Sequence, residues 1–211
     1  MRLTETFHSI QGEGTLMGLP MLFVRTNRCN LRCKWCDSTY TFEGGFEKDL
    51  DELVKETVAT PEDWICFTGG EPLLQRDAEE FVRRVVEGGK KVLIETSGSL
   101  PIHRFASIPD TVIDMDVKTP SSGEEKSMFA SNLSELRSTD YIKFVIQDEA
   151  DYRYAANFIS DHRKEIRCET VLQPAWGTDL KWLAESALRD GLKARVMTQL
   201  HKIIWGEVSG V

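Results

Sequence analysis

Short apolar runs separated by amphipathic stretches recur along the chain, and this alternation is its main structural signal. Residues 21–26, 64–68, 92–95, 112–117, 141–146, 169–172 and 194–197 have the length and apolar content of buried strands. Between them, apolar positions return at helical spacing. Leu50, Leu53, Val54 and Val58 share one face within residues 47–59, and Phe81, Val82, Val85 and Val86 precede Gly88-Gly89. Tyr152, Ala155, Ala156 and Ile159 mark a later helix, and Leu180, Leu183, Ala184, Ala187 and Leu188 the last one. The helical pattern is weak between Pro101 and Tyr141, which predicts short or irregular crossovers there. Strands alternating with helices predict parallel β/α units. With no internal repeat, low-complexity tract or linker, the 211 residues read as a single domain.

Polar and glycine-containing motifs follow the strands one after another. Gly69-Gly70-Glu71-Pro72, Thr96-Ser97-Gly98, Lys118-Thr119-Pro120 and Gln173-Pro174 each sit at a strand C-terminal end. In a parallel β/α barrel those ends share one rim, where active sites gather. Motifs remote in sequence would converge there.

Composition narrows the function classes. A chain of this size buries a core without disulfides, and no stretch approaches the ~18–20 apolar residues of a membrane span. Met1-Arg2-Leu3-Thr4-Glu5 has no apolar signal segment, so a cytoplasmic protein with no membrane partner is expected. A net charge of −8 argues against a nucleic-acid partner.

Cys29, Cys33 and Cys36 stand in the run Cys29-Asn30-Leu31-Arg32-Cys33-Lys34-Trp35-Cys36 with no fourth cysteine nearby. Thiolates normally hold all four irons of a [4Fe–4S] cube. Three close thiolates leave one iron open, as metal catalysis requires. A structural zinc completed by His8, His103, His162 or His201 is the alternative, although zinc ligands usually come as separated pairs. A disulfide framework fits poorly with five cysteines. Cys66 and Cys168 read as small buried hydrophobes. Arg25, Arg28, Arg32 and Lys34 crowd the triplet and could offset thiolate charge, meet an anion, or simply be solvated.

The triplet, with Trp35 before its third cysteine, resembles the cluster motif of radical S-adenosylmethionine (SAM) enzymes. Gly69-Gly70-Glu71-Pro72 resembles their GGEP motif, one β/α unit later. The resemblance implies a partial, modified (β/α)6 TIM-like barrel. It also implies a [4Fe–4S] cluster on Cys29, Cys33 and Cys36, whose open iron is chelated by SAM for reductive cleavage to a 5′-deoxyadenosyl radical. Gly69, Gly70 and Glu71 would meet the methionine ammonium, Ser97 the ribose or carboxylate, and Gln173 the adenine. Read without the resemblance, Ser97 and Gln173 are ordinary strand-end polar residues.

A narrower resemblance spans the chain. Phe7-His8-Ser9-Ile10-Gln11-Gly12-Glu13-Gly14, Asp116-Val117-Lys118-Thr119-Pro120-Ser121 and Gln199-Leu200-His201-Lys202-Ile203-Ile204-Trp205-Gly206 look like the signatures of the 7-carboxy-7-deazaguanine synthase family of deazapurine (queuosine or archaeosine) biosynthesis. That family contracts the ring of 6-carboxy-5,6,7,8-tetrahydropterin with loss of ammonia, regenerating SAM with assistance from Mg2+. The implied protein is one radical SAM domain, residues 1–211, with an N-terminal substrate-binding segment at about residues 1–20. A homodimer and a flavodoxin- or ferredoxin-type electron donor are implied as partners. Glu13, Arg25 and His201 are the implied catalytic residues, and with Gln11 and Thr68 they would bind the pterin.

In chemical terms, Gln11 and Glu13 can read a guanine-like edge, and Arg25 is a fork for the substrate carboxylate. Ser38 is the expected Mg2+ ligand where threonine is common in the family, with Asp37 holding a metal-bound water and Thr39 a competitor. Blander assignments exist: Glu13 as a solvated turn residue, His201 as a core histidine, and Arg25 as a counter-charge to the cluster. The residues after Gly206 depart from relatives whose terminal carboxylate reaches the active site. Two rivals remain at this point: a glycyl-radical activase with the same cysteine spacing, and a non-catalytic iron–sulfur or zinc module.

Overall fold

The computed structural model describes residues 1–208 and 210. Ser209 and Val211, within the extension noted above, lie outside the described residues. The strands are β1 (Arg2–Ile10), β2 (Pro20–Thr26), β3 (Phe46–Glu47), β4 (Trp64–Gly69), β5 (Lys91–Thr96), β6 (Thr111–Asp116), β7 (Tyr141–Ile146), β8 (Glu169–Pro174) and β9 (Arg195–Val196). They form one sheet in the order β3-β1-β2-β4-β5-β6-β7-β8-β9. All neighbours from β2 through β9 are parallel, whereas β1 pairs antiparallel with β2 and β3. Six long parallel strands, closed off by the two-residue β9, build the wall of the partial barrel.

The helices are α1 (Leu50–Ala59), α2 (Ala78–Glu87), α3 (His103–Ala106), α4 (Asn132–Glu135), α5 (Glu149–Asp161), α6 (Leu180–Arg189) and α7 (Leu200–Trp205). Asp49, Asp148 and Asp179 accept first-turn N–H groups of α1, α5 and α6. Such caps contribute about 1 kcal/mol each. Asp49 is also why α1 begins at Leu50 rather than at residue 47, where β3 ends. In the weakly patterned stretch, α3 and α4 are four residues each. Side chains replace helical turns there: Asn132 accepts from Ile102 N at 3.1 Å and donates to Gly98 O and Leu100 O at 2.9 and 2.8 Å.

Because side chains alternate along a strand, each parallel strand has two different faces. Val24, Ile65, Phe67, Val92, Ile94, Ile113, Met115, Ile142, Phe144 and Leu172 point outward into one core shared with the helices. Met21, Phe23, Cys66, Leu93, Tyr141 and Val171 form a smaller inner core. Toward the strand C-terminal ends the same inner face turns polar: Arg25, Thr68, Glu95, Asp114, Asp116, Lys143 and Gln173 line the cavity there. The barrel thus has an apolar floor and a charged mouth.

The N-terminal segment holds the nine-residue strand β1, and Phe7, Ile10, Gln11, Gly12 and Glu13 from this segment line the cavity. One expectation needs correction. Leu188, placed on the apolar face of α6, is 81% exposed, because that helix buries only a stripe around Leu183 and Ala187. Phe81 carries the α2 face: it is fully buried, with its ring 5.1 Å from that of Phe67. Phe81→Ala is expected to lower unfolding stability by about 3–5 kcal/mol, measured by urea denaturation.

Candidate active site

The cysteines, the N-terminal turn, the strand-end motifs and α7 surround one cavity of about 1200 Å³. A site for one small molecule commonly measures ~300–1,000 Å³, so more than one occupant fits. The loop after β2 carries Cys29, Cys33 and Cys36, all free and all lining the cavity. Burial raises the three thiols above their ordinary range, Cys33 to about 11, with Lys118 opposing. Thiols held in this way would bind a metal only with loss of their protons. Among the described residues no three acidic, histidine or cysteine side chains converge on one point as a single ion demands. A cube demands something else, since each thiolate takes its own iron. Gly70 is required beside the loop, where a Cβ would overlap the Arg28 carbonyl and crowd Cys29.

Glu71 differs from expectation. It is fully buried, and its carboxylate accepts from Leu73 N at 3.0 Å, Thr96 Oγ1 at 2.9 Å and Ser97 N at 2.8 Å, as well as from the Ser97 hydroxyl. Burial pushes its carboxyl up and these bonds pull against it. Glu71 braces the β4 and β5 ends together, and the Gly69-Gly70 backbone lines the cavity. Ser97 lines the cavity, but its hydroxyl proton is already directed at Glu71.

The N-terminal turn enters through Gln11 and Glu13. Gln11 is buried and committed to its own chain: Oε1 accepts from Glu13 N at 3.0 Å and Nε2 donates to Glu95 Oε1 at 2.8 Å. It shapes the turn rather than presenting a free amide to a ligand. Glu13 accepts from Lys143 Nζ at 3.0 Å and Gln199 Nε2 at 2.8 Å. Burial alone would raise its carboxyl, but Lys143, Gln199, Gln173 and His201 outweigh burial and lower it to about 2. Gln173 therefore stands beside Glu13, with its buried Oε1 unpartnered. His201 packs on Gly12, where a Cβ would overlap its ring, and Leu200 N donates to Gly12 O at 2.8 Å. Arg25 and Thr68 are register partners on β2 and β4. Arg25 Nε donates to Glu5 Oε1 at 2.9 Å, and its guanidinium lies over the Phe7 and Tyr40 rings.

Ser38 and Asp37 line the mouth of the cavity, with Ser38 Oγ donating to Asp37 Oδ1 at 3.0 Å. Lys202 Nζ is 3.3 Å from Asp37 Oδ2. Thr39 is exposed at the start of the turn Thr39–Thr41. A hydroxyl beside a carboxylate suits Mg2+, which keeps water and substrate oxygens in its shell.

Sequence reasoning gave Lys143 and Asp114 no role and named Glu95 and Gln199 only as parts of longer motifs. Lys143 is buried and reaches Asp114 at 2.7 Å, Glu13 at 3.0 Å and Asp116 at 3.5 Å. Burial and neighbouring acids push Asp114 up, while Lys118 and Lys143 draw Asp116 down against its own burial. The available signal was a charge inside an apolar strand run, because buried polar residues are the informative exceptions.

The Glu13 shift sets a pH window. A carboxyl depressed on folding adds stability that is complete above its unfolded value, 4.5, and is lost as pH falls toward about 2. The stability gap between the parent protein and Glu13→Gln is expected to be constant from pH 7 to 5 and to close below pH 4.5, as measured by urea unfolding at each pH.

Residues 23–138 match the Radical SAM superfamily profile. A 7-carboxy-7-deazaguanine synthase from Thermoplasma acidophilum is 50% identical over 211 residues, covering 100% of both chains. One from Koribacter versatilis is 43% identical over 229 aligned positions, again covering 100% of both. The crystal structure of QueE from Escherichia coli superposes with a TM-score of 0.78 at 20% identity, covering 95% of this chain and 94% of that one. Streptococcus suis SuiB bound to S-adenosylmethionine shares the fold with a TM-score of 0.60 at 13% identity, over 81% of this chain and 47% of its own. With such identity along its entire length, the chain belongs to the 7-carboxy-7-deazaguanine synthase family of the radical SAM superfamily.

Proposed function

We propose that the cavity at the strand C-terminal ends converts 6-carboxy-5,6,7,8-tetrahydropterin to 7-carboxy-7-deazaguanine with loss of ammonia. The observation that carries this is the meeting, in one cavity, of the three free thiols, the Gly69-Gly70 backbone, the Gln11–Glu13 turn, Arg25 and His201. The enzyme works with a [4Fe–4S] cluster, SAM and Mg2+, and its substrate is a small molecule.

The donor sets fit these groups. Cys29, Cys33 and Cys36 offer three soft ligands and leave one iron open, the Gly69 and Gly70 carbonyls suit an ammonium, and Ser38 with Asp37 offers hard oxygens. When bound, the cluster and SAM together supply a hydrogen-atom abstractor.

The chain's own residues then orient the pterin. Glu13, kept ionised beside Lys143, accepts hydrogen bonds from the amino and ring N–H groups of a guanine-like edge. Gln173, expected at the adenine of SAM, stands beside Glu13 instead, and its unpartnered carbonyl oxygen is assigned here to the same pterin edge. Arg25 keeps its terminal nitrogens for the substrate carboxylate while Glu5 holds Nε. Thr68 flanks Arg25 on the next strand, and His201 meets the substrate from α7, which lines the same cavity. The turn at residues 11–14 serves as the substrate-binding part of the N-terminal segment.

Three further proposals accompany this one. A flavodoxin- or ferredoxin-type protein supplies the electron, since cleavage of SAM needs a low-potential carrier. The enzyme is a homodimer. It works in the cytoplasm, where the five cysteines stay reduced, as all are free here. No described helix is long and apolar enough to cross a membrane.

The test is anaerobic turnover of iron-reconstituted, reduced protein with SAM, Mg2+ and the carboxylated pterin, read by mass spectrometry. Product without stoichiometric SAM loss is expected; 5′-deoxyadenosine without product would contradict the substrate assignment. Arg25→Gln is expected to raise KM by about 10- to 100-fold, the scale of a lost charge-assisted bond.

A further inference from the structure

The irregular loop of residues 27–38 needs an external frame, because it contains no helix or strand of its own. It finds one in the turn Pro120–Ser122 after β6. Trp35 Nε1 donates to Ser121 Oγ at 2.8 Å, Lys34 N to Ser122 O at 3.0 Å, and Arg32 N to Glu124 Oε1 at 2.8 Å. That turn is anchored in its own right on Asp151 in the first turn of α5, a fully buried carboxylate. Asp151 accepts from Ser121 N at 2.8 Å, from the Ser121 hydroxyl, and from Gln147 N at 2.9 Å.

The direction of the chain of bonds is determined by chemistry. An indole N–H only donates, and an ionised carboxylate only accepts. The single Ser121 hydroxyl proton therefore goes to Asp151, and the oxygen lone pairs turn to the indole between Cys33 and Cys36. Lys118 Nζ, from the same strand end, stands 5.5 Å from the Trp35 ring centroid, so the ring is held by its edge and its face.

We propose that Asp151 is a positioning residue for the cluster loop, acting through Ser121 and Trp35 without touching a cysteine. The proposal rests on Cys29, Cys33 and Cys36 being the cluster ligands. Asn at 151 would set its amide N–H against the Ser121 N–H in one orientation and against the Gln147 N–H and the Ser121 hydroxyl in the other, so either way an accepted bond of the turn is replaced by a donor–donor contact.

The test uses metal-free full-length protein. Alkylation of Cys33 and Cys36 by iodoacetamide is timed by peptide mass spectrometry against Cys168 as the internal standard. Ser121→Ala, Asp151→Asn and Trp35→Phe are each expected to raise the ratio between about 2- and 10-fold, the span of one net hydrogen bond. Ser121→Thr, which keeps the hydroxyl, is expected to restore the parent ratio. Asp151→Asn is expected to raise the ratio less in a Ser121→Ala background than in the parent, since the bond through the hydroxyl is already gone and only those to the backbone N–H groups of residues 121 and 147 remain to be lost. Release of iron from reconstituted protein to a chelator should follow the same rank order.

A merely structural Asp151 would lower the melting temperature and leave the alkylation ratio unmoved. Ratios within 2-fold of parent in all three variants, or Ser121→Thr behaving like Ser121→Ala, would overturn the proposal. If Asp151→Asn does not fold, Ser121→Ala and Trp35→Phe decide alone. A parent protein that binds no iron through its three cysteines would instead overturn the ligand assignment, whatever the alkylation ratios show.

Discussion

A single buried ammonium ties the site together. Lys143 lies on the inner face of β7, opposite Asp116 in the β6 register, and holds Asp114, Asp116 and Glu13 within 3.5 Å. Those carboxylates come from two parts of the chain that would otherwise repel one another. Burying such a group is costly in itself, and removing one partner leaves an uncompensated charge worth about 3–5 kcal/mol. The arrangement is therefore a specific one: Glu13 has one favourable place to be, and the turn carrying it follows. Through Gly12 O and Gln199, α7 is attached to that same turn. Both ends of the chain thus converge on one lysine.

The cavity divides into two parts built on different physical terms. On the thiol side, rigidity comes from neutral and charge-assisted hydrogen bonds to buried carboxylates, with Glu71 joining the β4 and β5 ends and Asp151 joining the turn after β6 to α5. On the substrate side it comes from opposed charges on adjacent strands. An apolar floor of Phe23, Cys66, Leu93, Tyr141 and Val171 lies beneath both and keeps the polar groups at the mouth. Low local polarity makes each paired charge stronger and each unpaired one more costly. Gln173 Oε1 and Asp114 Oδ1 are buried without a partner among these polar groups.

Much of the fold was legible because strand and helix periods differ. Residues 141–146 and 169–172 read as strands on apolar content alone, and the strand-end motifs located the rim. The antiparallel β1 was not legible: only Leu3, Phe7 and Ile10 of its nine residues are apolar, and their spacings of four and three follow no strand period. The site was legible where chemistry needs rare residues in fixed spacing, as with the three cysteines. It was less so where one charge sits inside an apolar run, because Lys143 leaves the strand period of residues 141–146 unchanged. Nor can spacing show that a side chain is already engaged, which is why Glu71 and Gln11 look like free ligand-binding groups in sequence and are internal braces in the folded chain.

The most direct test of this account is a double-mutant cycle on Lys143 and Asp114, read as both urea stability and KM for the carboxylated pterin. Lys143→Met is predicted to lose about 3–5 kcal/mol and to raise KM strongly. Adding Asp114→Asn should recover part of the stability while KM stays high, because Glu13 still lacks its anchor. Lys143→Met with stability within about 0.5 kcal/mol of parent and an unchanged KM would contradict the central place given to this ammonium.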